Sequence, residues 1–131
     1  MAGEGCLVGI ERFKGRGYGA ERQLVKRLRE AGFCAVRVPA SAPSLEPLPD
    51  VFATRDDEIY AFEVKSSSGG RVYFHKGQVE KLFRFLMMFK PYRRKTAVLA
   101  VRFGRRWVLK EAPKPGDYVV KKSDRSDLKL F

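Results

Sequence analysis

Residues 49–65, with the sequence PDVFATRDDEIYAFEVK, decide the fold because they contain the clearest strand pattern in the chain. Residues 59–65 alternate between the two sides of a strand and are rich in residues that favour strands. An acidic turn separates them from another strand candidate at residues 50–54. A hairpin of this length is expected to bring Asp50 alongside Glu63.

The two faces of the strand at residues 59–65 carry different chemistry. Phe62 and Val64 point to one face, which is expected to be core. Ala61, Glu63 and Lys65 share the other face. A Glu-x-Lys pair on a strand is, by itself, usually a solvated face with a weak ion pair. Its combination with a preceding Pro-Asp and with an inward-facing Glu on a helix is much less common, so we interpret the pair as catalytic.

That inward-facing acid is Glu21. A helical pattern begins at Tyr18, and in it Glu21 falls on the same side as the apolar stripe that contains Leu24 and Leu28. A Glu early in a helix commonly serves only the helix dipole. At the end of a buried stripe, however, its carboxyl group is expected to lie near the sheet. Glu21 is therefore a candidate for a further metal ligand.

The whole pattern predicts the order α-β-β-β-α-β-β, that is, a single α/β domain with a mixed central β-sheet flanked by helices. The first helix ends before Gly32, and the proline-rich residues 39–49 form a loop. Residues 17–131 are assigned to this domain, and residues 1–16 to a flexible basic N-terminal arm. The other predicted elements are a strand at 33–38, a helix at 76–90, a hairpin of 96–103 and 106–110, and an edge-strand candidate at 118–120.

The formal net charge of +12, from 27 Lys and Arg against 15 Asp and Glu, favours a polyanionic partner. An acidic membrane surface is the alternative, and it would require a long basic amphipathic helix. The apolar stripe of the second helix is better explained as core, so nucleic acid is preferred. No apolar run approaches the length of about 18 residues that spans a bilayer. Residues 1–9 do not resemble a signal peptide, and Cys6 and Cys34 are expected to be free thiols, which together suggest the cytoplasm.

Three of the singled-out residues suit the hydrolysis of a phosphodiester. That reaction needs an activated water, a charge sink for the developing phosphorane and help for the leaving oxygen, most of which a divalent ion provides. Mg²⁺ takes hard oxygen ligands, typically one or two carboxylates with waters and substrate phosphate. Asp50 and Glu63 beside Lys65 match this requirement. The sequence therefore predicts a Mg²⁺ site, in which Mn²⁺ can substitute, acting on nucleic acid.

Pro49-Asp50 with Glu63-Val64-Lys65 resembles the signature of the PD-(D/E)xK nuclease superfamily. Within it the match is best to archaeal Holliday-junction resolvases. Their helix opening is similar to residues 14–22, KGRGYGAER, and their first strand and loop are similar to residues 36–50. The resemblance runs over residues 14–89 and is specific over 14–65. It implies a restriction-endonuclease-like fold and a homodimer that nicks four-way DNA junctions symmetrically and leaves 5′-phosphate ends.

The resemblance also implies roles for individual residues. Asp50, Glu63 and the main-chain carbonyl of Val64 would bind the metal, while Lys65 would orient or activate the attacking water and stabilise the phosphorane. Glu21 would be an additional catalytic acid near the metal. Ser41 and Ser44 lie in the loop where some of these resolvases place a catalytic serine, and Ser41, Ser44 or neither could act. Arg22 and Arg37 would contact the scissile strand. The further candidates for DNA contact are Lys14, Arg16, Arg71 and Lys76, of which the last two are equally well explained as solvated charges.

Two features of the second helix allow more than one interpretation. Gln78 lies just inside it and is a candidate to reach the active site, as a Gln does in many members of this superfamily. The apolar residues Phe85 and Met88 exceed what one buried stripe needs, and their side of the helix is a candidate dimer surface.

Two rival functions also remain. One is another nuclease of the superfamily, of repair or restriction type, that acts on ordinary duplex. The other is a non-catalytic DNA-architectural protein with the same fold and basic surface. The presence of Asp50, Glu63 and Lys65 together argues against a pure binder, because carboxylates repel phosphate.

Overall fold

A computed structural model describes residues 19–39 and 46–131 of the chain. The predicted N-terminal arm at residues 1–16, with Lys14 and Arg16, and the loop residues Ser41 and Ser44 lie outside these described residues. The elements in chain order are α1 (Ala20–Glu30), β1 (Cys34–Arg37), β2 (Val51–Arg55), β3 (Glu58–Ser67), β4 (Arg71–Phe74), α2 (Lys76–Leu86), β5 (Arg94–Phe103), β6 (Arg106–Glu111) and β7 (Tyr118–Lys121).

The central sheet has five strands in the order β1-β2-β3-β5-β6. Strands β3 and β5 are parallel, whereas the other neighbouring pairs are antiparallel, so the predicted mixed sheet is confirmed. The predicted order of helices and central strands is also confirmed. The short strands β4 and β7 pair with each other in a separate two-stranded sheet. Of these two, the sequence indicated only β7, and only as an edge strand.

Each face of the central sheet is covered by one helix. On one face, Leu24 and Leu28 of α1 pack with Phe62 of β3, and on the other, Val79 and Leu82 of α2 belong to a second core cluster. The interpretation of β3 as a strand with a single core face is therefore incomplete. Its second face is also buried from Ile59 to Ala61, and it becomes polar only at Glu63 and Lys65.

Helix α2 ends at Leu86, four residues earlier than predicted. After it, the N–H groups of Met88 and Phe89 bond to the carbonyls of residues three positions earlier, so the chain tightens into turns. Pro91 keeps the helix from resuming after these turns, because a proline disfavours the helical conformation of the residue before it. Phe85 is buried in the core, whereas the side chains of Met87 and Met88 are 69% and 61% exposed.

Two expectations from composition can be compared with the structure. Cys34 is disulfide-bonded, so the prediction of two free thiols was wrong. Within the described parts of the chain, neither helix is long and apolar enough to cross a membrane.

Candidate active site

Asp50 is held next to Glu63 by the pairing of β2 with β3. Val51 pairs with Phe62, so the preceding residue, Asp50, falls beside Glu63. The Asp50 N–H donates to the Phe62 carbonyl at 3.0 Å, and the Val64 N–H donates to Asp50 Oδ2 at 2.8 Å. The main chain of β3 therefore fixes both the position of Asp50 and the direction of its carboxylate. The prediction that the hairpin brings the two acids together is confirmed.

Glu63 is a buried acid with an unsatisfied oxygen. Its side chain is only 6% exposed, and Oε1 has no hydrogen-bond partner. Burial and then the nearby Asp50 carboxylate raise the pKa of Glu63 to about 7. Burial also raises the pKa of Asp50, although the hydrogen bond from Val64 opposes the shift. The structure thus places two carboxyl groups where neither ionises as easily as in water.

Lys65 is anchored by residues outside the central sheet. Its Nζ donates to the main-chain carbonyl of Tyr73 at 2.6 Å and to Gln78 Oε1 at 3.1 Å, and it lies 4.9 Å from the centre of the Phe74 ring. Gln78 Oε1 also accepts the N–H of His75 at 2.9 Å, which closes the first turn of α2. Gln78 therefore does reach the site, and it links Lys65 to the start of α2.

Glu21 approaches the pair of acids from the first turn of α1. Its Oε1 lies 3.7 Å from Nη1 of Arg37, which is a loose ion pair between partly exposed side chains. Burial raises the pKa of Glu21, and the Asp50 carboxylate raises it further, while Arg37 lowers it. Glu21 and Arg37 line a pocket of about 390 Å³ together with Gly19, Ala20, Arg22, Val64 and Ser66. The pocket therefore opens beside the predicted catalytic residues.

Two contributors to the site have only weak signals in the sequence. One is the Tyr73 carbonyl, a main-chain atom whose role depends on the unpredicted strand β4. The other is Lys81 of α2, which is partly buried. Burial dominates the raised pKa values of Asp50 and Glu63, and the positive charge of Lys81 is the strongest side-chain charge that opposes the rise at both. Its helical spacing of three from Gln78 is the signal that could have indicated it.

The residues present fit a hard divalent cation held with the help of water and substrate. In the described part of the chain, no three side chains of His, Cys, Asp or Glu are grouped closely enough to hold a metal ion. Mg²⁺ needs only one or two carboxylates when waters and phosphate complete its shell. The unpartnered Oε1 of Glu63 beside Asp50 has the chemistry of such a ligand.

The other predicted site residues divide by location. Arg22 is exposed and, like Arg37, borders the pocket. Arg71 and Lys76 are exposed and lie on β4 and at the start of α2, the two elements that anchor Lys65. Lys76 donates its main-chain N–H to Asp117 Oδ1 at 2.7 Å, which leaves its ammonium group available.

The chain is similar to known proteins of one kind. The model of the archaeal Holliday junction resolvase (Hjc) family matches residues 12–130. The crossover junction endodeoxyribonuclease Hje of Saccharolobus islandicus is 49% identical over 73 residues, which are 56% of this chain and 54% of that protein. Hje of Sulfolobus acidocaldarius is 48% identical over 87 residues, which are 66% of this chain and 61% of that protein. The matches thus span less than two thirds of these relatives' lengths.

The fold is similar to a solved structure. Hjc of Archaeoglobus fulgidus, described as a Holliday junction resolvase from an archaeal hyperthermophile, superposes with a TM-score of 0.65. The two chains are 28% identical, and the match covers 79% of this chain and 86% of that one.

The raised pKa of Glu63 makes stability depend on pH. Because the pKa rises from 4.5 to about 7 on folding, the folded protein holds the proton more tightly, and stability is lost as pH rises through this window. We expect Glu63→Gln to gain on the order of 3 kcal/mol relative to the wild type between about pH 4.5 and pH 8 without metal. Thermal unfolding in EDTA across this range measures it.

The matched control for this measurement is Glu80→Gln, which removes a carboxylate from the exposed side of α2. Its melting temperature should follow that of the wild type at every pH. If the melting temperatures of Glu63→Gln and the wild type instead change with pH in parallel, burial does not shift the pKa of Glu63.

Proposed function

This chain belongs to the archaeal Holliday junction resolvase family, and we propose that it is a structure-selective endonuclease for four-way DNA junctions. It cuts by paired, symmetric, metal-dependent phosphodiester hydrolysis and leaves 5′-phosphate ends. The observation that carries this proposal is the buried, unpartnered Glu63 oxygen beside Asp50, on the strand that also presents Lys65. A protein that only binds DNA gains nothing from two buried acids next to its phosphate-binding surface.

We assign the metal ligands to Asp50, Glu63 and the main-chain carbonyl of Val64, with Glu21 as a further acid near the ion. When bound there, Mg²⁺ or Mn²⁺ supplies an acidic water and neutralises charge on the phosphate. Support comes from the hydrogen bond between the Val64 N–H and Asp50 Oδ2, which holds the carboxylate in place without a metal. Such preorganisation saves the ordering cost that a flexible Asp would have on binding.

Lys65 is assigned to the attacking water and the phosphorane. An ammonium group has three N–H donors. Tyr73 and Gln78 accept hydrogen bonds from Nζ, so one donor is left for a water or a phosphate oxygen. Because these two hydrogen bonds fix the orientation of the ammonium group, they also fix the direction of its remaining N–H donor. Ser41, which lies outside the described residues, stays a candidate from the loop side.

The DNA would reach this site over a basic surface. Arg22 and Arg37 border the pocket beside Val64, and they are assigned to the scissile strand. The net charge of +12 supports strong, salt-dependent binding to phosphates. The remaining candidates for DNA contact are Lys14, Arg16, Arg71 and Lys76.

A homodimer is part of the proposal, because a four-way junction has two-fold symmetry and paired cuts need two sites related by that symmetry. The exposed side chains of Met87 and Met88 at the end of α2 are the candidate contact. The two side chains are adjacent and give this end of α2 an exposed apolar surface, the kind of surface that a protein–protein contact covers.

The central test is cleavage of an immobile four-way junction by the wild type, Asp50→Asn and Asp50→Ala. We expect junction binding within about threefold of wild type, because the binding energy comes from phosphate contacts elsewhere. Cleavage should fall by more than about 100-fold. Mutation of residues that only support the metal ligands already reduces metal affinity or activity by roughly 10- to 100-fold. Gel-shift and single-turnover cleavage assays give both values.

Asn keeps an oxygen that can accept the Val64 N–H, whereas Ala does not, so the pair separates ligand chemistry from structure. If both variants lose binding together with cleavage, Asp50 is structural. Wild-type cleavage of linear duplex at the rate of the junction would favour a repair- or restriction-type nuclease instead. No cleavage of any branched DNA with Mg²⁺ or Mn²⁺ would favour the architectural protein.

Metal binding can be measured without activity. At pH 8 we expect Mg²⁺ at ten times its Kd to stabilise the wild type by about 1.4 kcal/mol. The gain should disappear in Glu63→Gln and shrink in the wild type below pH 7, because a proton on Glu63 competes with the ion. Thermal unfolding with Mg²⁺ or with EDTA reads both effects, and an equal gain in Glu63→Gln would exclude Glu63 as a ligand.

The dimer contact is tested by Met87→Asp with Met88→Asp. We expect a monomer in sedimentation velocity, because buried charges at an interface without partners are strongly unfavourable. On a supercoiled cruciform plasmid the wild type should give linear product, whereas the monomer should give nicked circles. Replacing both methionines with Leu keeps the surface apolar and should keep the dimer; a dimeric double-Asp variant would place the interface elsewhere.

A further inference from the structure

The two-stranded sheet formed by β4 and β7 has two sharply different faces. The pairs Val72↔Val120 and Phe74↔Tyr118 lie on one face, and these four side chains pack on the core that contains α2. The pairs Arg71↔Lys121 and Tyr73↔Val119 must therefore lie on the opposite face, because side chains alternate along each strand. We call these four residues the outer face.

The outer face combines exposed cations with exposed apolar surface. The side chains of Tyr73 and Val119 are 57% and 41% exposed, and Arg71 and Lys121 are also exposed. Among the described residues, the four ion pairs do not include Arg71 or Lys121. Like charges directly opposite each other on paired strands destabilise a sheet. The two cations therefore repel each other across the strands, and the carboxylate that contacts this pair in the described residues is that of Asp124, which accepts the Lys121 N–H at 2.8 Å.

The outer face also adjoins the candidate active site. Its central residue, Tyr73, gives its main-chain carbonyl to Lys65 Nζ at 2.6 Å, while its side chain points away from the core. A ligand on the outer face would thus contact the side chain of the residue whose carbonyl holds the proposed catalytic lysine. The tyrosine ring is flanked by a cation on its own strand and by another across the sheet.

We propose that the outer face is a docking surface for one DNA arm of the junction, next to the strand that is cut. Arg71 and Lys121 bind phosphates of the sugar–phosphate backbone, and the Tyr73 ring packs on a sugar or an unpaired base near the branch point, with Val119 beside it. This inference rests on the proposed function and deepens it, because it says where a DNA arm leaves the active site.

Charge complementarity selects DNA over a second copy of this chain. In a two-fold symmetric contact each face would meet itself, so two Arg71 and two Lys121 would be brought together. A polyanion instead neutralises both cations and releases its condensed counterions. An exposed aromatic between cations is also a common arrangement where proteins bind nucleic acid, since rings stack on bases of any sequence.

The charge part of the proposal is tested by the double variant Arg71→Gln with Lys121→Gln. Its Kd for an immobile four-way junction is measured in EDTA over a range of salt concentrations. We expect the slope of log K against log salt to fall by roughly 1.8, which is two phosphate contacts at about 0.9 each. The control is Lys26→Gln with Lys90→Gln, which removes the same charge from exposed positions on α1 and beyond α2 and should leave the slope nearly unchanged.

The aromatic part is tested by Tyr73→Ala and Tyr73→Phe. The Ala variant should bind the junction on the order of tenfold more weakly with an unchanged salt slope, whereas the Phe variant should bind like wild type, because the ring and not the hydroxyl makes the contact. Both variants keep the main-chain carbonyl that accepts the Lys65 hydrogen bond, so the difference in junction binding between them, measured in EDTA, reports on the ring. Melting temperatures confirm that each variant is folded.

The outcomes separate this inference from the proposed function. If the wild type cuts junctions but the Arg71/Lys121 double variant has the same salt slope as its control, the outer face is not a DNA surface, and the function stands. A double variant or Tyr73→Ala that turns monomeric in sedimentation would assign the face to the dimer and overturn the inference. If the wild type binds junctions without cutting them, the proposed function fails, and the salt slopes still decide what binds the outer face.

Discussion

The arrangement that the site depends on is the burial of two carboxyl groups side by side at the end of β3. The hydrogen bond from the Val64 N–H to Asp50 Oδ2, at 2.8 Å, fixes the Asp50 carboxylate against the strand that carries Glu63. Burial makes ionisation of each acid unfavourable, and the charge of Asp50 makes ionisation of Glu63 still less favourable. Among the described residues, the positive charges of Lys81 and Lys65 oppose this at both acids. A site of this kind is stabilised by a cation that binds both acids, and that is the physical basis of the proposed metal.

The rest of the fold holds the partners of these acids in place. Helix α1 covers one face of the sheet and brings Glu21 to the pocket, while α2 covers the other face and brings Gln78 to Lys65. The start of α2 is tied to the loop before β7 through Asp117, which accepts the Lys76 N–H. The small β4–β7 sheet therefore helps to position Lys65. Strand β4 supplies the Tyr73 carbonyl, and Asp117, just before β7, holds the start of α2.

The parts that the sequence predicted are those set by local pattern. The alternation of residues 59–65 placed Glu63 and Lys65 on one face, and the length of the hairpin placed Asp50 beside Glu63. The β4–β7 sheet was not predicted, because each strand has four residues and pairs with a partner more than forty residues away along the chain, so neither carries a long alternating pattern. The Tyr73 carbonyl could not be predicted for the same reason. Every residue has a main-chain carbonyl, so the type of residue does not show which carbonyl will bind a side chain.

The buried acids and the outer face cost the free protein stability in the same way. Each holds like charges together, and in our proposals each would be relieved by a ligand of the opposite charge: a metal at Asp50 and Glu63, and phosphates at Arg71 and Lys121. In the proposed function these ligands are not independent, because a phosphate of the cut strand also completes the shell of the ion. DNA bound on the outer face raises the local concentration of that phosphate, so it should favour metal binding, and by linkage the metal should favour the junction to the same extent. Lys65 is anchored through Tyr73 of β4. The residue that we assign to the reacting phosphate would therefore be held by the same strand that we propose to receive the DNA arm.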